Sequence, residues 1–248
     1  MRIIAIVNQK GGTGKTTTTQ NMGVALAKKN KKVLLIDLDA QANLSYSFGI
    51  INPEKSITDA LRGIHTLHAI RVNKEGVDII PSSALLSSLE ISIINKPGRE
   101  SLLKDLLKDV TGYDYILLDC PPSLSVLTIN ALTAANHVIT PLQMEILSLQ
   151  GLTQLLETIK SIKQEFNHHL QISGIVAVNY DTRRRLSEEV LGEIEKKLGQ
   201  KVYKTKIRPC VRIAEAPSFA QSVISYAPSS NGTLDYEDLA KEIIKERN

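Results

Sequence analysis

Nine consecutive residues near the start of the chain hold most of its chemical potential: Gln9-Lys10-Gly11-Gly12-Thr13-Gly14-Lys15-Thr16-Thr17. The glycines allow backbone N–H groups to turn inward and approach an anion closely. Lys15 offers a point charge for β- and γ-phosphates, and the Thr16 hydroxyl can ligate Mg²⁺. Such a loop needs a strand before it and a helix after it, so that the positive end of the helix faces the same anion. The apolar, β-branched run from Ile3 to Val7 and the helix-like pattern from Thr17 to Lys29 supply both. The plainer alternative is a glycine-rich turn with two solvated lysines; nine fitting residues between a strand and a helix speak for the phosphate loop.

Acidic residues follow two other apolar runs. Val33 to Ile36 leads into Asp37-Leu38-Asp39-Ala40-Gln41, and Tyr113-Asp114-Tyr115-Ile116-Leu117-Leu118 leads into Asp119. Ligands of open α/β sheets sit beyond the carboxyl ends of strands, so these acids belong beside the loop. Two carboxylates and an amide there can orient an attacking water and hold a Mg²⁺ shell. By themselves they would read as strand ends capped with polar residues. Cys120-Pro121-Pro122-Ser123 comes next, and its two prolines stiffen whatever loop they form.

The elements that must position these residues alternate along the chain. Strands are expected near 2–8, 33–37, 77–80, 115–119, 137–141, 172–178 and 202–206. Helices are expected near 15–29, 56–62, 83–92, 99–110, 125–135, 149–165, 186–198 and 233–246. The expected fold class is therefore α/β: a single doubly wound, mainly parallel sheet with helices on both faces. Neither linker nor repeat interrupts residues 1–248, so one domain is expected. Apolar content of 42% without tryptophan fits an aliphatic core, as parallel sheets prefer. Two distant cysteines, Cys120 and Cys210, suggest a reducing compartment and no disulfide framework. The opening apolar run is too short for a signal peptide, and no stretch reaches the ~20 apolar residues of a membrane span.

Net charge is only +4, but its placement is uneven: ten Lys/Arg and four acids fall between Arg183 and Arg212, a local excess of +6. Such bunching fits a polyanion-binding face, and equally a solvated helix plus an edge strand guarded by lysines; charge does not choose between them. Ser56 to Asp59 has the form of a helix N-cap with a capping-box acid. His65 and His68 have no further ligand nearby, so no metal site is expected there. Asn179, at the end of a strand, is suitably polar to read an adenine edge. The stretch from Leu234 to Asn248 fits a helix packed on the domain, acidic near its start and without the cationic face of a membrane-surface helix.

The loop lacks the first glycine of the standard pattern, with Gln9 in its place, and carries a second lysine, Lys10. It resembles the deviant Walker A loop of the ParA/MinD/NifH group of P-loop ATPases. In that group the extra lysine reaches across a dimer interface to the partner's ATP. The resemblance implies Lys10, Lys15 and Asp39 as catalytic residues, with Asp39 placing the hydrolytic water. It implies ATP contacts from Lys10, Gly11, Gly12, Thr13, Gly14, Lys15, Thr16 and Thr17. It implies Thr16, Asp37 and Asp119 around Mg²⁺, with Asp37 nearer the metal and Thr16. Asp119-Cys120-Pro121-Pro122-Ser123 is similar to the family's switch II, and Glu145 and Gly151 match a segment that packs at the dimer interface in relatives. Tyr203 to Ser218 resembles a ParA stretch that contributes DNA contacts and a proline lining the adenine pocket, although Arg208-Pro209-Cys210 stands where Pro-Arg-Asn is common.

On this resemblance Arg183 and Arg212, with Lys204, Lys206 and Arg208, are the expected DNA-binding residues, and Asn179 and Pro209 the adenine contacts. The chain is similar to small, Soj-like ParA partition ATPases. The implied cofactors are ATP and Mg²⁺. The implied partners are a second copy in an ATP-bound homodimer, non-specific double-stranded DNA, and a ParB-type centromere-binding protein. The implied location is cytoplasmic and nucleoid-associated, with no membrane. The alternative is a MinD-like membrane-positioning ATPase. A metallocluster carrier or cobyrinic-acid synthase on the same loop is disfavoured by the scarcity of cysteine and the lack of an extra substrate domain.

Overall fold

Each central strand buries both of its faces, and this dictates a sheet covered on two sides. Along β1 (Arg2–Ile6), Ile4 and Ile6 enter one apolar cluster, while Ala5 and the following Val7 enter the other. The same alternation runs along β2 (Val33–Asp37) and β5 (Tyr115–Asp119), where Leu34, Ile36, Ile116 and Leu118 face one way and Val33, Leu35, Tyr115 and Leu117 the other. Continuous aliphatic runs of this kind are the mark of parallel strands flanked by helices.

The computed structural model describes residues 1–196 and 198–246. Lys197, counted in the basic stretch, and Arg247 and Asn248 of the expected last helix lie outside the described residues. With β3 (Val72–Lys74), β4 (Val77–Ile80), β6 (His137–Gln143) and β7 (Gln171–Val178), the sheet has the order β3-β4-β2-β5-β1-β6-β7. Every pairing is parallel except the β3–β4 hairpin. One face is covered by helices that include Val126–Ala134 and Ile146–Glu165, the other by Lys15–Lys28 and Asn231–Lys245. The expected doubly wound α/β fold is the one observed.

The helix after the loop lies unusually close to the sheet. A Cβ on Gly23 would stand 2.7 Å from Leu35 Cδ2, so a larger residue there would have to push Leu35 aside. The expected capping box forms, with the Ser56 N–H donated to Asp59 Oδ2 at 2.7 Å. Among the described residues, no helix is long and apolar enough to cross a membrane.

One expected strand is absent. Residues 202–207 pair with β7 only through isolated bridges, Ile175 with Val202 and Val178 with Ile207. The N–H groups of Lys204 and Thr205 are donated instead to the Glu242 carboxylate, both at 2.9 Å, so the last helix takes the bonds a ladder would need. The edge strand β3 and short helices at Asn43–Ser47, Leu67–Ile70, Val211–Glu215 and Val223–Tyr226 were not expected.

Candidate functional site

The carboxyl ends of β1, β2 and β5 lie side by side, and Asp37 and Asp119 are register partners on adjacent strands. The loop therefore hangs over both acids. Gly12 and Gly14 adopt φ of +74° and +77°, which L side chains rarely tolerate. A Cβ on Gly11 or Gly12 would meet nothing within 4 Å, so the space over the loop is open. Gly14 caps the Lys15–Lys28 helix with no side-chain hydrogen bond, which leaves the positive helix end turned toward that space.

Lys15 is buried, and its Nζ donates to the carbonyl of Lys10 at 3.4 Å. Burial lowers its pKa, and the charges of Asp119 and Asp39 oppose that shift. The Thr16 hydroxyl donates to Asp119 Oδ2 at 2.8 Å, and Thr19 reaches Oδ1 at 3.3 Å. Asp37 bonds elsewhere: its Oδ2 accepts from the Ser45 N–H at 2.9 Å and the Ser45 hydroxyl at 2.7 Å, and its Oδ1 from the Asp39 N–H at 3.1 Å. Thr16 thus pairs with Asp119 and not with Asp37, which Ser45 braces. Asp39 is half-buried, and its Oδ1 accepts from the Gln41 N–H at 2.9 Å.

Burial raises the Asp37 pKa to about 6 against the pull of its hydrogen bonds. Burial and the Asp37 charge raise Asp119 well above the usual carboxylate range. Two buried acids that disfavour each other's ionisation, with a threonine hydroxyl beside them, fit a divalent cation. No group of three His, Cys, Asp or Glu among the described residues could hold a metal alone. Mg²⁺ would be shared with phosphate oxygens, its usual mode.

Other contacts frame the loop. Lys10 Nζ pairs with Glu145 Oε2 at 2.8 Å, both side chains about half exposed. Gln143 Nε2 donates to the Gly12 carbonyl at 3.2 Å, and Asn8 links the Lys10 N–H to the Pro141 carbonyl. Sequence reasoning missed Asn8, Ser45 and Gln143. Asn8 and Gln143 could have been marked only by their places at or just beyond strand ends; Ser45, inside the Asn43–Ser47 helix, carries no such signal. The Cys120 thiol is buried and its pKa pushed up by burial, which leaves it an unreactive packing group.

Asn179 is exposed at the end of β7 with φ of +52°, one residue beyond Val178, whose side chain lies 3.9 Å from where a Gly14 Cβ would stand. Pro209 is exposed two residues past Ile207, whose carbonyl accepts from the Tyr180 N–H at 2.9 Å. That bond ties the chain just before the 183–185 arginines to the 204–212 segment. Arg183, Arg212 and Lys204 are exposed. Arg208 forks onto Asp235 with bonds of 2.6 to 3.1 Å, and Lys206 turns inward to the Tyr203 carbonyl at 2.7 Å.

Residues 1–172 match the family described as AAA domain. The chromosome partitioning protein ParA of Caulobacter vibrioides is 43% identical over 251 residues, covering 98% of this chain and 94% of that protein. The sporulation initiation inhibitor protein Soj of Bacillus subtilis is 43% identical over 249 residues, covering 98% of each. Among solved structures, the cobyrinic acid a,c-diamide synthase of Mycobacterium smegmatis with bound ATP analog and magnesium superposes with a TM-score of 0.88 at 34% identity, over 99% of this chain and 95% of that one.

Proposed function

The chain belongs to the ParA/Soj family of P-loop partition ATPases, and from that premise we propose that it hydrolyses ATP to switch its hold on DNA. The observation that carries this reading is the convergence, at the ends of three adjacent strands, of an open glycine loop, a buried lysine turned back on that loop, and two buried acids.

Lys15 leaves the Lys10 carbonyl for the β- and γ-phosphates, which the Gly11–Thr17 N–H groups and the helix end surround. Bound Mg²⁺ would neutralise phosphate charge at the site of transfer. Thr16 and Asp119 would hold it, with Asp37, braced by Ser45, on the adjacent strand. Asp39 orients the attacking water. Lys10 exchanges Glu145 for the nucleotide of a second copy, which completes a sandwich dimer. Asn179 and Pro209 flank the adenine.

Dimerisation then doubles a surface of Arg183, Lys204 and Arg212, joined by the paired Arg208 and the inward-turned Lys206. Each phosphate contact adds salt-sensitive, sequence-independent affinity, so a dimer holds duplex DNA far better than one chain. Hydrolysis, stimulated by a ParB-type centromere-binding protein, undoes the dimer and frees the DNA. While ATP is bound, the protein would sit on the nucleoid in the cytoplasm.

The last helix speaks for DNA over a membrane target: it spends Leu239, Ala240 and Ile243 on the core. The synthase neighbour is spanned over 95% of its length, so the expected need for an additional domain does not separate it from this chain. An assay does. ATP turnover with random-sequence duplex and a cognate ParB-type protein should exceed turnover without them; turnover indifferent to both would overturn the DNA reading.

A further inference from the structure

The arginines of the basic face are not free. Asp181 accepts from Arg183 Nε at 2.9 Å and Nη2 at 2.8 Å, and from the Arg183 backbone N–H at 3.0 Å. Arg212 Nη1 pairs with Glu215 Oε2 at 2.7 Å. Arg208 pairs with Asp235, but that acid is buried in the last helix and also accepts the Arg208 backbone N–H at 2.9 Å. The Arg208 bond therefore clamps the turn to the helix. The other two pairs differ in kind, because their acids lie only two and three residues away in the chain and are less buried than Asp235.

These local pairs occupy the recognition edge of the guanidinium. The Nε–Nη2 edge that Asp181 engages in Arg183 is one a phosphate would use, since both anions offer two oxygens to the same fork. The Arg183 side chain holds the Asp181 carboxyl far below its usual range, so this competitor stays ionised wherever DNA binding is measured. Glu215 is fixed from a second side: its Oε2 accepts from the Tyr226 hydroxyl at 3.2 Å, and the Tyr226 ring stacks on Phe219 at 4.9 Å. Neither pair needs a second chain to form, so both persist in the monomer.

We propose that Asp181 and Glu215 are built-in competitors for DNA phosphate, holding Arg183 and Arg212 in ion pairs that a phosphate must share or displace. This inference rests on the DNA-binding reading above. It adds a residue-level reason why one chain alone would hold DNA poorly. Exposed pairs of this kind are weak, and breaking one costs roughly two- to five-fold in affinity. Four such pairs across a dimer multiply to a large factor, and one that spaced contacts on a two-fold surface can still overcome.

The test uses the full chain carrying Asp39→Ala, with ATP and a fluorescent random-sequence duplex, at two salt concentrations. Asp181→Asn with Glu215→Gln should tighten binding roughly ten-fold or more, and steepen the salt dependence by about 0.9 for each arginine newly given to a phosphate. Glu188→Gln with Glu189→Gln makes the same charge change on the neighbouring helix and should do much less. In an Arg212→Ala background, Glu215→Gln should lose its effect. Tightening no larger than that of the Glu188/Glu189 control, or weaker binding, overturns the inference while leaving the DNA reading intact. An Asp39→Ala parent that dimerises with ATP but leaves the duplex unbound, as do all its variants, overturns both.

Discussion

Lys10 Nζ lies 2.8 Å from Glu145 Oε2 of the same chain, so the lysine that distinguishes this phosphate loop is engaged before any partner arrives. Both side chains are about half exposed, and a pair of this kind is worth at most ~1 kcal/mol. The bond is a resting place, easily given up for a nucleotide. Lys10→Ala should leave ATP bound through Lys15 and leave stability within ~1 kcal/mol. The ATP-dependent dimer should disappear, as gel filtration with ATP would report; a persisting dimer would remove Lys10 from the interface.

Lys15 is the test of the loop itself. Its amine is buried and its pKa lowered by burial, with Asp119 and Asp39 opposing that shift. Lys15→Ala should weaken binding of a fluorescent ATP analogue by about a hundred-fold or more, as loss of a charge-assisted phosphate contact does. Unchanged nucleotide affinity would refute the loop assignment.

The close seat of the first helix predicts a stability effect away from the chemistry. Gly23→Ala would drive a methyl to 2.7 Å from Leu35 Cδ2. Forced overpacking of this kind costs about 1–3 kcal/mol. Urea unfolding should show the loss, and a neutral result would mean that Leu35 can turn aside.

The phosphate loop and the acids at 37, 39 and 119 are legible in the sequence because each is a local pattern whose meaning depends only on the strand before it. The two-faced sheet is legible for the same reason: Val33 to Ile36 and Tyr115 to Leu118 are apolar without interruption. What escapes is decided by side chains far apart in sequence. Residues 202–206 include the β-formers Val202, Tyr203 and Thr205, but Glu242 takes two of their N–H groups. Ser45 sits eight residues from the acid it braces, and Glu145 lies 135 from Lys10. The basic stretch is countable, yet its partners are not: only the folded chain sets Asp235 against Arg208.

His137 gives a pH dependence whose sign is fixed. Burial, helped by the Arg2 charge, lowers its pKa below the ordinary 6.5, and its Nδ1 lies 2.9 Å from the Ser173 hydroxyl. The unfolded chain binds the proton first as pH falls, so this contribution to stability is complete above pH 6.5 and is lost as pH drops through that value toward the folded pKa. Urea midpoints at neutral and mildly acidic pH should fall more steeply for the parent than for His137→Gln. Equal falls would contradict a half-buried, neutral imidazole.

The central claim is a nucleotide-switched hold on DNA, and Asp39→Ala tests it most directly. This variant should bind ATP without turning it over. Its affinity for a random-sequence duplex should be measured with ATP, with ADP and with no nucleotide, at two salt concentrations. The account predicts binding with ATP alone, weakened by added salt in proportion to the phosphates contacted. Equal binding in all three states, or none in any, would contradict it.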